Sequence, residues 1–297
     1  MKFLQSCLLK QTSEKPYTKT ERMSSREGRR ERLSDSAEDS VITTKENGVA
    51  WIKINRPEVL NALDTAVLRK LHAALNDAER DPQIGCVVLS GEGKAFSAGA
   101  DLRALKKRQK MAEVSFMEHL RNETNPLISK MRQMDKPIIS MINGVAAGAG
   151  MSLALAADIK IMADSARFVE AFAKIGLAPD AGATFLMTRS FGASKAMELA
   201  LTGGEVDAKE AERLGAVNRV TPLGQLQRDT RVLAERLAKG PMGIRLAKRA
   251  MNRALVSDLD TSLDYEAHIQ EIVAASDDFE EGVNAFNEKR QPSFRGK

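Results

Sequence analysis

The chain has 297 residues and a formal net charge of +5, from 45 basic and 40 acidic side chains. Residues 1–34 hold nine basic and four acidic residues, so this segment carries the whole excess and the rest of the chain is neutral. A neutral body argues against a broad nucleic-acid-binding surface, which needs cations to displace counterions, and two cysteines exclude a disulfide scaffold and a Cys-rich metal site.

The first 40 residues are predicted to form a disordered basic arm. They are charged and poor in branched aliphatic side chains, so they cannot bury enough apolar surface to offset the entropy lost on ordering. Their apolar residues are too scattered for a secretory signal, and the four glutamates of residues 1–34 argue against a transit peptide. The longest apolar stretch, at 145–157, is too short to span a bilayer. We therefore expect a soluble, cytoplasmic protein without a membrane partner.

The body that follows is predicted to alternate between strands and helices. Short runs rich in β-branched residues predict strands, and apolar residues at helical spacing predict helices. In chain order these are a strand at 49–54, a helix at 60–79, a strand at 86–90, a helix at 113–134, a strand at 137–142, a helix at 150–156, and strands at 159–162 and 167–169. The recurring order of strand, strand and helix predicts an α/β fold.

The last third of the chain is predicted to be almost entirely helical. From residue 194 onward the helical pattern is broken only at Gly203-Gly204 and Gly240-Pro241. Residues 259–286 have the pattern of two paired amphipathic helices with a large apolar face. That face belongs either to the core of one chain or to an oligomer interface.

Two segments of small residues, 94–102 and 142–151, each follow a buried strand and lead into a helix. Small side chains at such a turn let a ligand approach the backbone, and the free N–H groups of the helix N-terminus then point at it. Two such groups from separate loops can stabilise one oxyanion, as an enolate or a tetrahedral intermediate requires. The alternative is a pair of tight turns that pack helix against strand. Neither segment has the spacing of a phosphate-binding loop.

Asp180 stands in a third segment, 175–184, among apolar residues that include Leu177 and Phe185. Apolar surroundings raise the pKa of a carboxylate by desolvation, which suits a general base working near neutral pH. The alternative for an aspartate that follows a proline at the start of a helical pattern is an N-cap.

In this order, the segments resemble the crotonase family, the enoyl-CoA hydratase/isomerase superfamily. The resemblance runs from about residue 41 to residue 297. It is carried by Asn55-Arg56-Pro57-Glu58-Val59-Leu60-Asn61-Ala62-Leu63, the loops at 96–102 and 143–150, Lys136-Pro137, Ala157-Asp158, Gly203 with 208–217, Glu281-Gly282-Val283-Asn284-Ala285-Phe286 and Lys289-Arg290.

The resemblance implies an α/β fold with a crotonase-type ββα-spiral core at 41–235 and a C-terminal helical region at 236–297 that packs homotrimers, often paired into hexamers. It also implies an acyl-CoA thioester as ligand, with coenzyme A as part of the substrate, no separate cofactor and no metal. The thioester oxygen is expected between the backbone N–H groups of Ala100 and Ala149. Further coenzyme A and substrate contacts map onto Glu58, Val59, Leu60, Ala62, Ala98, Gly99, Asp101, Leu102, Gly148, Ser152 and Phe172.

Within the family, the catalytic side chains decide the reaction. Hydratases use two glutamates, and the positions that match them here are Ser152 and Phe172. Glu170 lies two residues from the second position and is interpreted as structural. Members that resemble the sequence around Asp180, Gly-Leu-x-Pro-Asp-Ala-Gly, include double-bond isomerases and a ring isomerase of phenylacetate breakdown, and they place a single catalytic aspartate there.

We therefore expect an acyl-CoA isomerase in which Asp180 moves a proton between two carbons of a thioester enolate. An enoyl-CoA hydratase of the same family is the first alternative. A non-enzymatic member that binds RNA or acts as a scaffold is the second, but nucleic acid is not an expected partner because the charges of the arm are mixed.

Overall fold

The computed structural model of the chain describes residues 40–111 and 115–296. The arm predicted at residues 1–40 lies outside this range except for Ser40. Ser40 is buried, and its carbonyl oxygen accepts a hydrogen bond from the Asn55 N–H at 2.8 Å, so it belongs to the folded body. Within the described residues, no helix combines the length and the apolarity that a membrane crossing requires.

In the described residues, ten strands form two sheets. They are β1 (Val41–Glu46), β2 (Val49–Ile54), β3 (Cys86–Gly91), β4 (Ala95–Ser97), β5 (Ile138–Ile142), β6 (Val145–Ala147), β7 (Ile159–Ala163), β8 (Arg167–Val169), β9 (Glu205–Asp207) and β10 (Arg219–Thr221).

The larger sheet has six strands in the order β1-β2-β3-β5-β7-β10. β1 is antiparallel to β2, and all the other neighbours are parallel. β3 and β5 are buried along their whole length, as expected for parallel strands covered on both faces. This is why they show as continuous apolar runs in the sequence.

The smaller sheet has four short strands in the order β4-β6-β8-β9. β4, β6 and β8 each follow a strand of the larger sheet, and they run parallel to one another, whereas β9 is antiparallel to β8. After each of the three the chain continues into a helix or a helical turn. The result is three successive strand, strand, helix units, which confirms the predicted α/β spiral.

The helices cover the two sheets and form the C-terminal region. They are α1 (Thr65–Arg80), α2 (Leu102–Lys110), α3 (Phe116–His119), α4 (Asn125–Gln133), α5 (Ala149–Leu155), α6 (Ala183–Ser190), α7 (Ala193–Thr202), α8 (Ala208–Arg213), α9 (Leu223–Ala238), α10 (Met242–Ala254), α11 (Leu259–Ala274) and α12 (Asp277–Asn287). A π-helical turn, Leu120–Thr124, joins α3 to α4, so the helix predicted at 113–134 begins later, at Phe116.

The start of α1 differs from the prediction, which placed it at residue 60. Leu60 and Asn61 have φ angles of 54° and 58°, a left-handed conformation that a right-handed helix does not contain. α1 instead begins after Asp64, whose carboxylate accepts a hydrogen bond from the Val67 N–H at 2.9 Å. The predicted apolar stripe was placed correctly from Val67 onward, and it is buried.

The helical region predicted from residue 194 also contains two strands, β9 and β10. Each has three residues, too few to show a period of two. The prediction also missed β1, whose residues are mostly exposed. β4 and β6 lie inside segments predicted as loops. All these elements are fixed by strand pairing across the sheets and not by a local pattern.

The C-terminal helices are fastened to the core by a buried charge. The predicted domain boundary at 235/236 falls inside α9, which packs on β3, β5 and β7. The Lys248 ammonium, on α10, lies 2.8 Å from the Asp158 carboxylate and donates to the carbonyl oxygens of Met131 and Lys136, both at 3.0 Å.

Most of the apolar face predicted for 259–286 lies outside the core of the single chain, and Ile269 and Ala285 are its buried members. Large apolar side chains stand exposed along α10, α11, α12 and the turns between them, and they are Met251, Leu255, Val256, Leu259, Leu263, Ile272, Phe279, Val283 and Phe286.

Candidate active site

The two small-residue loops meet. A Cβ atom at Gly99 would lie 2.6 Å from the Ala147 carbonyl oxygen and 3.3 Å from the Ala149 nitrogen. The φ angle of Gly99 is 90°, which side chains rarely adopt. Gly150 makes the reciprocal approach, since a Cβ there would lie 2.5 Å from the Ser97 carbonyl oxygen. The glycines are therefore required by the contact between the loops, and not only by each turn.

Each loop ends at the N-terminus of a helix. α2 begins two residues after Ala100, and α5 begins at Ala149. Among the described residues, no acceptor bonds to the backbone N–H of either alanine. Helix N-termini leave such donors free for a ligand. The approach of Gly99 to the Ala149 nitrogen brings the two loops into direct contact at this point.

The first loop is paired with residues 60–63. The Ala98 N–H donates to the Leu60 carbonyl at 2.8 Å, the Leu63 N–H to the Gly99 carbonyl at 2.8 Å, and the Asp101 N–H to the Leu63 carbonyl at 2.9 Å. The structure thus brings together the two segments onto which coenzyme A contacts were mapped.

The surface of these two segments is apolar. Val59, Leu60 and Leu102 are 38%, 43% and 44% exposed. Glu58 is also exposed, whereas Ala62 is buried. Exposed apolar side chains next to the paired loops offer a ligand a surface on which to lie.

Two asparagines hold the loops in place, and sequence reasoning missed both roles. The Asn61 side chain is fully enclosed, accepts from the Arg56 N–H at 2.9 Å and donates to the Ala95 carbonyl at 2.7 Å. Asn143, from the second loop, accepts from the Gly91 N–H at 3.2 Å and donates to the same Ala95 carbonyl at 3.3 Å. An amide carries both donors and acceptors, so each side chain can fasten several backbone groups.

Asp180 is partly buried, and burial raises the pKa of its carboxylate to about 6. Desolvation is the cause of the shift. Among the described residues its carboxylate has no hydrogen-bond or ion-pair partner. The N-cap alternative is wrong: α6 is preceded by Gly182, and no side chain caps it. The Asp180 carboxylate therefore does not cap α6.

The backbone after Asp180 is strained. Ala181 has a φ of 53° and Gly182 a φ of 75°, and Ala181 is 2% exposed. A left-handed alanine costs on the order of 1 kcal/mol and persists only where its surroundings enforce it. Here the Asp180 carbonyl accepts hydrogen bonds from the Ala183 N–H at 2.9 Å and from the Ser152 hydroxyl at 3.3 Å.

Ser152 and Phe172, the positions of the two hydratase glutamates, both border the second loop. Ser152 lies one helical turn after Ala149, and its hydroxyl reaches the carbonyl oxygens of Gly148 and Asp180. It is fully enclosed, so its side chain has no surface for the substrate contact predicted there. The Phe172 ring lies 3.8 Å from the position of a Cβ at Gly148. Ser152 therefore links the helix that begins at Ala149 to the backbone of Asp180.

Glu170 is fully enclosed and borders a 3₁₀ turn, Ala173–Ile175. Burial raises the pKa of its carboxyl group, while the nearby N–H groups of Ala173 and Phe172 oppose the shift. Neither carboxyl oxygen has a partner in hydrogen-bond geometry among the described residues. A carboxyl group without exposed surface cannot contact a substrate, which agrees with its structural interpretation.

The sequence of the chain is similar to that of a known protein family. Residues 44–297 match the family described as enoyl-CoA hydratase/isomerase. The chain belongs to this family. A 1,2-epoxyphenylacetyl-CoA isomerase from Escherichia coli (strain K12) is 40% identical over 258 residues, which are 86% of this chain and 98% of that protein.

Other proteins similar to this chain have names that include hydratase. A probable enoyl-CoA hydratase from Rhodobacter capsulatus is 41% identical over 252 residues, or 84% of this chain and 95% of that protein. The crystal structure of an enoyl-CoA hydratase/isomerase from Mycobacterium abscessus is 36% identical, with a TM-score of 0.82 over 86% of this chain and all of that one. Family members act on acyl-CoA thioesters, and both isomerase and hydratase names occur among these relatives.

Proposed function

We propose that the chain is an acyl-CoA isomerase in which Asp180 is the proton shuttle. The observation that carries the proposal is the Asp180 carboxylate, whose raised pKa and lack of a partner leave it available as a base. The loop contact at Gly99 and Ala149 supports it, because the free N–H groups of Ala100 and Ala149 stand where the loops converge.

The reaction follows from the acidity of a thioester. In a 3-enoyl-CoA, a base removes a proton from carbon 2, and the electron pair spreads over the dienolate. The N–H groups of Ala100 and Ala149 stabilise its oxygen, and each such donor is typically worth roughly 3–4 kcal/mol. The protonated Asp180 then returns the proton to carbon 4, which gives the 2-enoyl-CoA. One carboxyl group serves both steps, so the chemistry calls for no metal or redox cofactor.

A ring substrate is compatible with the same machinery. The relative from Escherichia coli is named for a 1,2-epoxyphenylacetyl-CoA, an oxygenated ring attached to a coenzyme A thioester. We include such ring thioesters in the proposed substrate class because enolate stabilisation depends on the thioester and not on the rest of the acyl group.

Enoyl-CoA hydratase activity is the second candidate, favoured by the relative from Rhodobacter capsulatus. Hydration needs groups that hold and activate a water molecule. The two positions that match the hydratase glutamates hold an enclosed serine, Ser152, and a buried phenylalanine, Phe172. An apolar ring beside the second loop excludes water, so isomerisation is the better supported reaction.

Asp180→Asn tests the base. Removing a general base lowers turnover by about 10²–10⁴-fold, so the variant is expected to lose 3-enoyl-CoA isomerisation while its affinity for a saturated acyl-CoA stays within threefold. Asp164→Asn is the matched control, because Asp164 is an exposed carboxylate in the turn between β7 and β8. Turnover is followed by the absorbance of the conjugated product, and affinity by calorimetry.

Crotonyl-CoA separates the two candidate reactions. The proposal expects isomerisation of trans-3-enoyl-CoA and at most slow hydration of crotonyl-CoA. Fast hydration without any shift of the double bond would overturn the isomerase assignment. Full activity of Asp180→Asn would show that another group is the base.

A further inference from the structure

Arg56 lies beside the first loop and binds three acceptors at once. Its Nη1 donates to the Ala62 carbonyl at 2.8 Å and lies 3.1 Å from the Asp64 carboxylate. Its Nη2 lies 3.2 Å from the Asp101 carboxylate. The side chain is 19% exposed, and those of Asp64 and Asp101 are 26% and 16% exposed. A planar guanidinium suits this arrangement, because it presents several donors in a fixed geometry.

The two carboxylates that Arg56 binds each begin a helix. Asp64 accepts from the Val67 N–H and caps α1. Asp101 accepts from the Ala104 N–H at 3.1 Å, in the first turn of α2. The negative charge of Asp101 at the N-terminus of α2 is favoured by the helix dipole. α2 itself carries five cations and no acidic residue. Arg56 therefore connects the starts of two helices.

Ala100 lies directly between these fixed points. It precedes Asp101, and residues 99 and 101 are both hydrogen-bonded to the backbone of Leu63, the neighbour of Asp64. The direction of the Ala100 N–H is set by the peptide plane between residues 99 and 100. Rotation of that plane would break the Leu63–Gly99 hydrogen bond, whose geometry depends on the position of residues 62–64 that Arg56 holds.

We infer that Arg56 is a positioning residue for the Ala100 N–H, one of the two oxyanion donors. It does not touch the reacting atoms. It holds residues 62–64 and Asp101 in the positions at which the Ala100 N–H points at the thioester oxygen. The inference rests on the proposed function for the role of the Ala100 N–H, but not on Asp180 or on the direction of proton transfer.

Arg56→Met is the direct test, and Arg231→Met is its matched control. Arg231 lies on α9 and also binds two carboxylates, Glu46 at 2.6 Å and Glu235 at 3.6 Å, with a side chain that is 33% exposed. Both variants lose an arginine that binds two acids, so a general loss of stability affects both. Urea unfolding of each variant measures that loss directly.

The decisive readout is the ionisation of bound acetoacetyl-CoA. This thioester forms an enolate with its own ultraviolet absorbance, and an aimed oxyanion donor raises the enolate fraction without any turnover. We expect Arg56→Met to lower the enolate fraction and to lower kcat for isomerisation about 10–100-fold, part of the effect of deleting a donor. KM should change less than threefold, and Arg231→Met should change neither the enolate fraction nor kcat.

Two further variants keep the inference testable if Arg56→Met does not fold. Arg56→Lys keeps the charge but cannot reach both acids, and it is expected to restore stability more than enolate formation. Asp101→Asn keeps the shape and removes the charge that Arg56 binds, and it should lower the enolate fraction by itself. A folded Arg56→Met or Asp101→Asn protein with the wild-type enolate fraction overturns the inference.

The outcome for the proposed function is read separately. A wild-type protein that forms the enolate but does not isomerise 3-enoyl-CoA refutes the isomerase proposal and leaves the role of Arg56 standing. A wild-type protein that isomerises, with an enolate fraction that Arg56→Met leaves unchanged, refutes only the role of Arg56.

Discussion

At the scale of single residues, Asp180 combines two unfavourable features in one turn. Its carboxylate is desolvated, which raises its pKa to about 6, and the alanine that follows is left-handed. Desolvation lowers the stability of the folded state when the carboxylate is charged, and no partner among the described residues offsets it. The strain of the left-handed alanine is present at every pH. Residues that are costly to hold in this way are typical of active sites.

The pKa of Asp180 predicts the acid limb of the pH profile. The carboxylate is the active form of a base, and its folded pKa of about 6 lies above the ordinary value of 3.8. Activity is therefore expected to fall as the pH drops through about 6, and not only near 4. The measurement is kcat/KM for a 3-enoyl-CoA between pH 4.5 and 8, which reports ionisations of the free enzyme. A profile that stays flat down to pH 5 would contradict the assignment of Asp180 as the base.

Sequence reasoning singled out candidate residues whose chemistry is local. Asp180 stands out because a carboxylate among apolar neighbours is unusual, and the resemblance to the family placed Ala100 and Ala149. It did not reach the roles of Asn61 and Arg56. Asn61 donates to the carbonyl oxygens of Glu92 and Ala95, and Arg56 binds Asp101. These partners lie 31 to 45 residues away in the sequence, and only the fold brings them together.

At the scale of elements, the site is a contact between two loops that belong to different strand, strand, helix units. The first loop follows β4 and the second follows β6, and these strands are neighbours in the smaller sheet. Strand pairing thus sets the distance between the loops. Three-residue strands show no usable periodicity in the sequence, which is why the loops were predicted and the strands that align them were not.

Gly99→Ala tests the importance of the loop contact. The added Cβ would lie 2.6 Å from the Ala147 carbonyl oxygen, so the loops must separate. We expect enolate formation and isomerisation to fall at least tenfold. Gly176→Ala is the control: its φ of 74° imposes the same kind of strain as the φ of 90° at Gly99, but nothing lies within 4 Å of the added atom.

Both glycine variants should lose roughly 1 kcal/mol of unfolding free energy from backbone strain, measured by urea denaturation. Only Gly99→Ala should, in addition, lose isomerase activity. Equal losses of activity in the two variants would show that the separation of the loops is unimportant.

At the scale of the whole molecule, the C-terminal helices leave a large apolar surface uncovered. Val256 and Leu259 are each 71% exposed, and Phe286 is 83% exposed. Contiguous exposed apolar surface on a single chain marks an interaction site. We therefore keep the homotrimer, or a hexamer of two trimers, as the proposed assembly. The cytoplasmic location stays a prediction.

Phe286→Glu is expected to shift the sedimentation coefficient from that of an oligomer towards that of a single chain. A buried carboxylate without a partner is strongly unfavourable at an interface. Gln227→Glu, an exposed position on α9, adds the same charge elsewhere and should leave the assembly unchanged. If both variants sediment like the wild type, Phe286 lies outside the interface.

The free N–H groups of Ala100 and Ala149 belong to the main chain, so a change of side chain at either position does not remove them. Every residue except proline carries the same N–H group, so most substitutions at these positions leave the donors intact while reshaping their surroundings. Under the proposed function, evolution can then exchange side chains near the two loops, such as those at residues 152, 172 and 180, without rebuilding the two backbone donors. A scaffold of this kind acquires a new reaction by moving one carboxylate.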